Sequence, residues 1–179
     1  MPDDLLEFIR TKKETKKSFT EALHFNSKLP LITLILDDEL NAKEQKTLDT
    51  LLKGCQSLDT LQIVLLTDSH TTKKRSANII ELPYSEKNRR KAIEAADMAL
   101  TFNFSDIEEL LMHGTIPISS QRSNVQNYDP NSEQGNSFIY SALEPWSIFA
   151  SIVRATETFK FPYDWKNIIR QGLSSISKD

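Results

Sequence analysis

Residues 95–118 read Ala-Ala-Asp-Met-Ala-Leu-Thr-Phe-Asn-Phe-Ser-Asp-Ile-Glu-Glu-Leu-Leu-Met-His-Gly-Thr-Ile-Pro-Ile and hold a strand, a helix and a second strand with almost no loop between them. Met98 to Phe102 is an apolar run of strand length. Ser105 with Glu108 three residues later has the form of a capping box, and Gly114 stops the helix before the apolar run Ile116 to Ile118. A β-α-β unit this tight builds a parallel sheet, and ligands of such sheets gather at the carboxyl ends of the strands.

The same alternation extends in both directions. Leu31 to Leu36 and Leu61 to Leu66 are near-continuous apolar runs, as buried parallel strands require, and each empties into acids, Asp37-Asp38 and Asp68. Between them Leu48, Leu51, Leu52 and Cys55 mark one face of a helix that ends near Gly54. Ile79 to Leu82 reads as a brief strand, Ser85 to Ala96 as a helix, and His70 to Ser76 as a polar loop. Downstream, Ser119 to Gly135 is rich in Ser, Asn, Gln and Asp and reads as a mobile loop. A short strand at Ser137 to Tyr140 follows. Ile148, Phe149, Ile152 and Val153 define one more helix, and Trp165, Ile168 and Ile169 another that ends near Gly172. Trp146 and Trp165 lie in these helices and are read as core or interface anchors. At the other end, Leu5, Phe8 and Ile9 begin an amphipathic arm that Lys12, Lys13, Lys16 and Lys17 interrupt near Thr11, before Phe19, Ala22 and Leu23 resume. The expectation is an α/β, three-layer, Rossmann-like domain with a predominantly parallel sheet over residues 29–179, preceded by a helical arm over 1–28.

Composition narrows the function. The 179 residues, 39% hydrophobic and 26% charged, suit one folded domain. Twenty-two basic against twenty-five acidic side chains leave a net charge of -3, so no global field holds the chain on nucleic acid or an anionic membrane. The longest apolar run, Leu29 to Leu36, is too short to span a bilayer and no signal peptide precedes it, which makes the cytoplasm the expected location. Cys55 is the single cysteine, and His24, His70 and His113 are dispersed, so no metal site is expected. Four glycines are few for a phosphate-cradling loop.

Several fragments, in order, resemble the carboxy-terminal, donor-binding domain of bacterial glycogen and starch synthases, glycosyltransferases of the GT-B fold. Lys13 to Leu23 is similar to the family's lysine-rich helix, and Pro30 to Leu36 to its first strand. Gln45-Lys46-Thr47-Leu48-Asp49 resembles Gln-Lys-Gly-Leu-Asp, and Ala95-Ala96-Asp97-Met98-Ala99-Leu100 resembles Ala-Gly-Ala-Asp-x-x-Leu. His113 to Ile118 is close to Tyr-Gly-Thr-Ile-Pro-Ile. Arg154-Ala155, Trp165 and Gly172-Leu173 follow the family's spacing near the end. The resemblance implies one half of a GT-B fold, with a nucleotide-sugar and an amino-terminal GT-B domain or other partner protein as its partners. It implies a donor-phosphate contact at Lys46, and the vestigial phosphate candidates beside it are Ser105, at a helix amino terminus that could attract phosphate, and Thr115.

The departures fall on the chemistry. Where the family carries Pro-Ser-x-x-Glu-Pro-Cys-Gly-Leu, this chain has only Thr101 to Asp106. Asp37, Asp38 and Glu39 stand in place of a Ser-Arg, and Thr67-Asp68-Ser69 in place of a glycine-rich turn. The expectation is a vestigial site, no catalytic residue, no cofactor, and a domain inactive by itself. Two alternatives are an interaction or scaffold module, and a receiver-like phospho-acceptor domain using Asp37 and Asp38, whose paired acids could hold Mg²⁺.

Overall fold

The computed structural model describes residues 2–36, 39–68, 70–102 and 106–176. Among these, seven strands form one sheet in the order β3-β4-β2-β1-β5-β6-β7. They are β1 (Leu31–Leu34), β2 (Gln62–Thr67), β3 (Lys73–Lys74), β4 (Ile79–Pro83), β5 (Met98–Leu100), β6 (Ile116–Ser119) and β7 (Phe138–Ile139). All neighbours are parallel except β3 and β4. Counted over the parallel strands alone, the order is 3-2-1-4-5-6, the order of a dinucleotide-binding Rossmann sheet, with the chain reversing direction between β1 and β5. The apolar runs that begin at Leu31, Leu61, Met98 and Ile116 are indeed consecutive neighbours, β2-β1-β5-β6. A receiver sheet has the order 2-1-3-4-5 instead, with its third strand beside the first.

Helices α1 (Pro2–Ala22), α2 (Ala42–Cys55), α3 (Glu86–Ala95), α4 (Ile107–Met112), α5 (Pro145–Phe159) and α6 (Pro162–Ile176) complete the chain. Alternate residues of each strand feed two cores, as the two-residue period dictates. Ile32, Leu34, Ile63, Met98, Leu100 and Ile118 pack under α2, α5 and α6. Leu31, Val64, Leu66, Ile80 and Ala99 pack under α3, α4 and the second half of α1.

Several boundaries differ from those expected of the sequence. The β5 strand stops at Leu100 instead of Phe102: the Thr101 N–H still donates to Ile118 O of β6 at 3.0 Å, but the chain bends at Phe102, and both residues are buried. The segment read as the loop His70 to Ser76 contains β3, whose lysines hydrogen-bond antiparallel along β4 while their side chains stay in water. A two-residue edge strand has too few residues to display a period, and its lysines suit an edge that must not recruit another chain. Gly172 lies inside α6, where the absence of a side chain lets Leu111 approach; an added Cβ would sit 3.0 Å from Leu111 Cδ2. The stretch Ser119 to Gly135 is pinned rather than loose. Val125 and Tyr128 are buried, the Tyr128 hydroxyl donates to Asp164 Oδ1 at 2.7 Å, and Asn136 Oδ1 accepts the Gln126 N–H at 2.8 Å.

The stop at Gly114 is realised as a Schellman ending. Gly114 has φ of +63°, its N–H donates to Leu111 O at 2.9 Å, and the Thr115 N–H donates to Leu110 O at 2.9 Å. A Cβ there would lie 2.7 Å from Phe8 Cε1 of α1. Gly114→Ala is expected to destabilise the fold by about 1–2 kcal/mol from the left-handed backbone alone, plus whatever Phe8 cannot relieve by swinging aside. Urea denaturation measures it, and an unchanged midpoint would count against this geometry.

Candidate functional site

In a sheet of this order the ligand crevice opens where the chain reverses, outside the carboxyl ends of β1 and β5. The helices that follow these strands, α2 and α4, point their amino termini at it. Such termini carry unsatisfied N–H groups and a partial positive charge that would receive phosphate. Here both are capped from within. Asn41 Oδ1 accepts the N–H groups of Lys43 and Glu44, each at 3.0 Å, and the Glu44 carboxylate reaches back to the Asn41 N–H at 2.9 Å. On α4 the cap is Asp106, whose Oδ1 accepts the Glu109 N–H at 3.0 Å.

This corrects the capping box read at Ser105 and Glu108. The helix begins one residue later, at Ile107, so Asp106 takes the cap and Glu109 the third helical position. Ser105 itself lies outside the described residues, as do Asp37 and Asp38. Around the same mouth, Glu39, Asp68 and Asp106 are exposed acids. Lys46 is exposed one turn into α2, with its own carbonyl accepting the Thr50 hydroxyl at 2.8 Å.

Aromatic side chains close the β5–β6 side. Tyr140, just past β7, is 3% exposed and donates its hydroxyl to Thr101 O at 2.8 Å, and Phe102 is buried beside it. Burial raises the Tyr140 phenol above its ordinary range, so it remains a donor at neutral pH. The sequence gives no sign of this latch, because nothing in a short strand says which later residue folds over its end. The box Asn41-x-x-Glu44 was also missed, although that pattern stands openly in the sequence.

Thr115 is not at this mouth. It precedes β6, at the amino-end edge of the sheet, fully buried. Its hydroxyl lies 2.6 Å from Ile93 O and 3.0 Å from Ala96 O and accepts from Lys12 Nζ at 2.9 Å. It ties helix ends together and has no path to a ligand. Lys46 and Thr115 therefore sit at opposite ends of the strands, and no phosphate could bridge them.

A dense polar constellation surrounds Thr115. Helix α1 runs unbroken across the amino edge, and the lysines read as interrupting it are clips. Lys12 Nζ donates to Glu94 O at 3.2 Å and to His113 O at 2.8 Å, the carbonyl ends of α3 and α4. Lys16 Nζ meets Asp97 Oδ2 at 2.6 Å, both side chains nearly buried, and the same oxygen accepts the Leu31 N–H at 2.8 Å. The Phe159 ring lies 4.8 Å from Lys16 Nζ. Leu5, Ile9, Lys12, Lys16, Phe19 and Leu23 recur at intervals of four and three, so the lysines occupy core-facing positions of one continuous stripe. That spacing is the signal that could have found them.

Of the two tryptophans, Trp165 is core, stacked 6.3 Å from Phe138, whereas Trp146 is 81% exposed at the start of α5. Among the described residues, no group of three His, Cys, Asp or Glu is placed to hold a metal ion, and no helix is long and apolar enough to cross a membrane.

No protein-family model matches the chain. It is 27% identical over 103 residues to glycogen synthase 1 of Synechocystis sp., the alignment covering 52% of this chain and 22% of that protein. It is 28% identical over 110 residues to the glycogen synthase of Caldicellulosiruptor bescii, covering 56% of this chain and 22% of that one. The matched stretch thus spans about a fifth of the length of these curated relatives, and the chain is distantly glycogen synthase-like.

Proposed function

We propose that this chain is a diverged counterpart of the carboxy-terminal, donor-binding domain of glycogen synthases, one that keeps the Rossmann-like fold and has lost sugar transfer. The observation that carries the reading is the state of the two helix amino termini at the β1–β5 crevice. A working diphosphate site needs N–H donors and positive potential there. In this chain Asn41 takes two of those donors on α2 and Asp106 takes one on α4, and the Glu44 and Asp106 carboxylates answer the helix dipoles. Glu39 and Asp68 add further negative charge near the mouth, and Lys46 opposes them alone among the candidate contacts. Desolvating a diphosphate in that field costs more than one exposed lysine returns.

The expected result is that the chain transfers no glucose from ADP-glucose or UDP-glucose to glycogen, and binds either donor no more tightly than about millimolar, a binding free energy of roughly 4 kcal/mol. Radiolabel incorporation and calorimetry check the two halves. Turnover above a heat-inactivated control, or low-micromolar binding abolished by Lys46→Ala, would overturn the reading.

A further inference from the structure

We infer that the cleft between the first turns of α4, the loop after β6 and the last turn of α6 binds a neutral, polyhydroxylated small molecule of single-hexose size. The cleft is half-open to solvent and has a volume of about 260 Å³. That lies below the roughly 300–1,000 Å³ of sites for drug-sized ligands and suits one sugar ring. Its floor is apolar, formed by the buried Leu111 and Val125. Its walls are amide, hydroxyl and carboxylate: Asn124 and Gln126, Ser123 and Glu108.

Two features give this lining its chemical meaning. At the back, Asn136 is 5% exposed and held rigidly, its Nδ2 donating to Asn124 O at 3.3 Å and Ser175 Oγ at 3.2 Å while its Oδ1 accepts from Gln126 N. The loop carrying the wall is therefore fixed before any ligand arrives, which lowers the entropy lost on binding. The side chains of Glu108, Ser123 and Gln126, by contrast, are exposed, and with the half-buried Asn124 they make no side-chain hydrogen bond to another described residue, so water is all that a ligand has to displace. A side-chain amide offers a donor beside an acceptor, and a carboxylate offers two acceptors, which match vicinal hydroxyls that each donate and accept. Glu108 is the single ionic group of the lining among the described residues, so phosphates and carboxylates are repelled where a neutral ring is not.

The site shares no residue with the β1–β5 crevice, so it stands or falls separately from the loss of sugar transfer. The test is an amide NMR titration of the full chain with glucose, mannose and galactose, and with glucose 6-phosphate. At least one neutral hexose is expected to give saturable millimolar shifts at the Glu108 amide and across Ser123 to Gln126, with glucose 6-phosphate markedly weaker. Gln126→Ala is expected to weaken binding about fivefold to tenfold, the loss of one or two neutral hydrogen bonds. The loop should survive that change, because the Gln126 backbone makes its contacts to Asn136 and Ser137. Glu108→Gln should bring the phosphate ester level with the free sugar. Absence of saturable shifts at these amides with all three hexoses, or glucose 6-phosphate binding the wild-type chain as tightly as glucose, would overturn the proposal.

Discussion

Lys16→Ala is expected to destabilise the fold by about 3–5 kcal/mol, the range for removing one partner of a buried ion pair. Lys16 is 5% exposed and Asp97 is 7% exposed, and their charged atoms are 2.6 Å apart. Without Lys16 the Asp97 carboxylate keeps the Leu31 N–H, and one neutral donor is too little to replace its lost hydration. The loss should appear as a lower urea midpoint with an unchanged slope. A companion variant separates pair energy from lost packing. In Lys16→Met/Asp97→Asn no charge is buried, the Asn oxygen can still accept from Leu31, and the methionine stem can still cover Phe159. A large part of the stability should return, as it does when buried pairs are replaced by neutral groups. A loss below about 1 kcal/mol for Lys16→Ala would mean that water screens the pair as it does a surface ion pair.

That pair also marks the boundary of what the residues alone disclosed. The sheet was legible because buried parallel strands are continuous apolar runs, and Leu31 to Leu34, Ile63 to Leu66 and Ile116 to Ile118 are such runs. Gly114 was legible because a helix that must turn sharply into a strand requires a left-handed residue. The lysine clips were hidden by a rule of thumb. Lysine is rarely buried, so Lys12 and Lys16 read as breaks in a stripe, although their spacing continues it. What resolves them is tertiary: the carbonyl ends of α3 and α4 converge there from 82 and 101 residues away. The candidate site failed for a related reason. Lys46 and Thr115 each belong to a local pattern, and a local pattern does not say at which end of a strand it stands. Thr115 precedes its strand and Lys46 follows one, so the parallel sheet itself drives them apart.

The second clip makes stability depend on pH. Lys12 is pushed down from 10.5 to about 7, first by desolvation, against the opposing pull of Asp97 and Glu94 and with the added push of Lys16. The neighbouring His113 is lowered as well, again chiefly by desolvation. Between about pH 7 and 10.5 the unfolded chain therefore holds a proton on Lys12 that the folded chain has released, and stability must rise with pH across that window. Across such a window one proton contributes about 1.4 kcal/mol for every pH step of one, so the rise from pH 7 to 9 should reach roughly 2 kcal/mol. Tyr128 works in the opposite sense, because burial and the Asp164 carboxylate raise its phenol, but its contribution is lost only above the ordinary phenol range near 10. Chemical denaturation at pH 6.5, 7.5, 8.5 and 9.5, run in parallel on the wild-type chain and Lys12→Met, isolates the lysine, since the other groups are shared and cancel in the difference. The methionine variant starts weaker, because Glu94 O and His113 O lose a donor. Its stability should also lack the upward slope, so that the gap between the two proteins widens toward alkaline pH. Parallel curves would mean that Lys12 keeps its proton throughout, with the two helix carbonyl ends and Thr115 stabilising the ammonium as fully as water does.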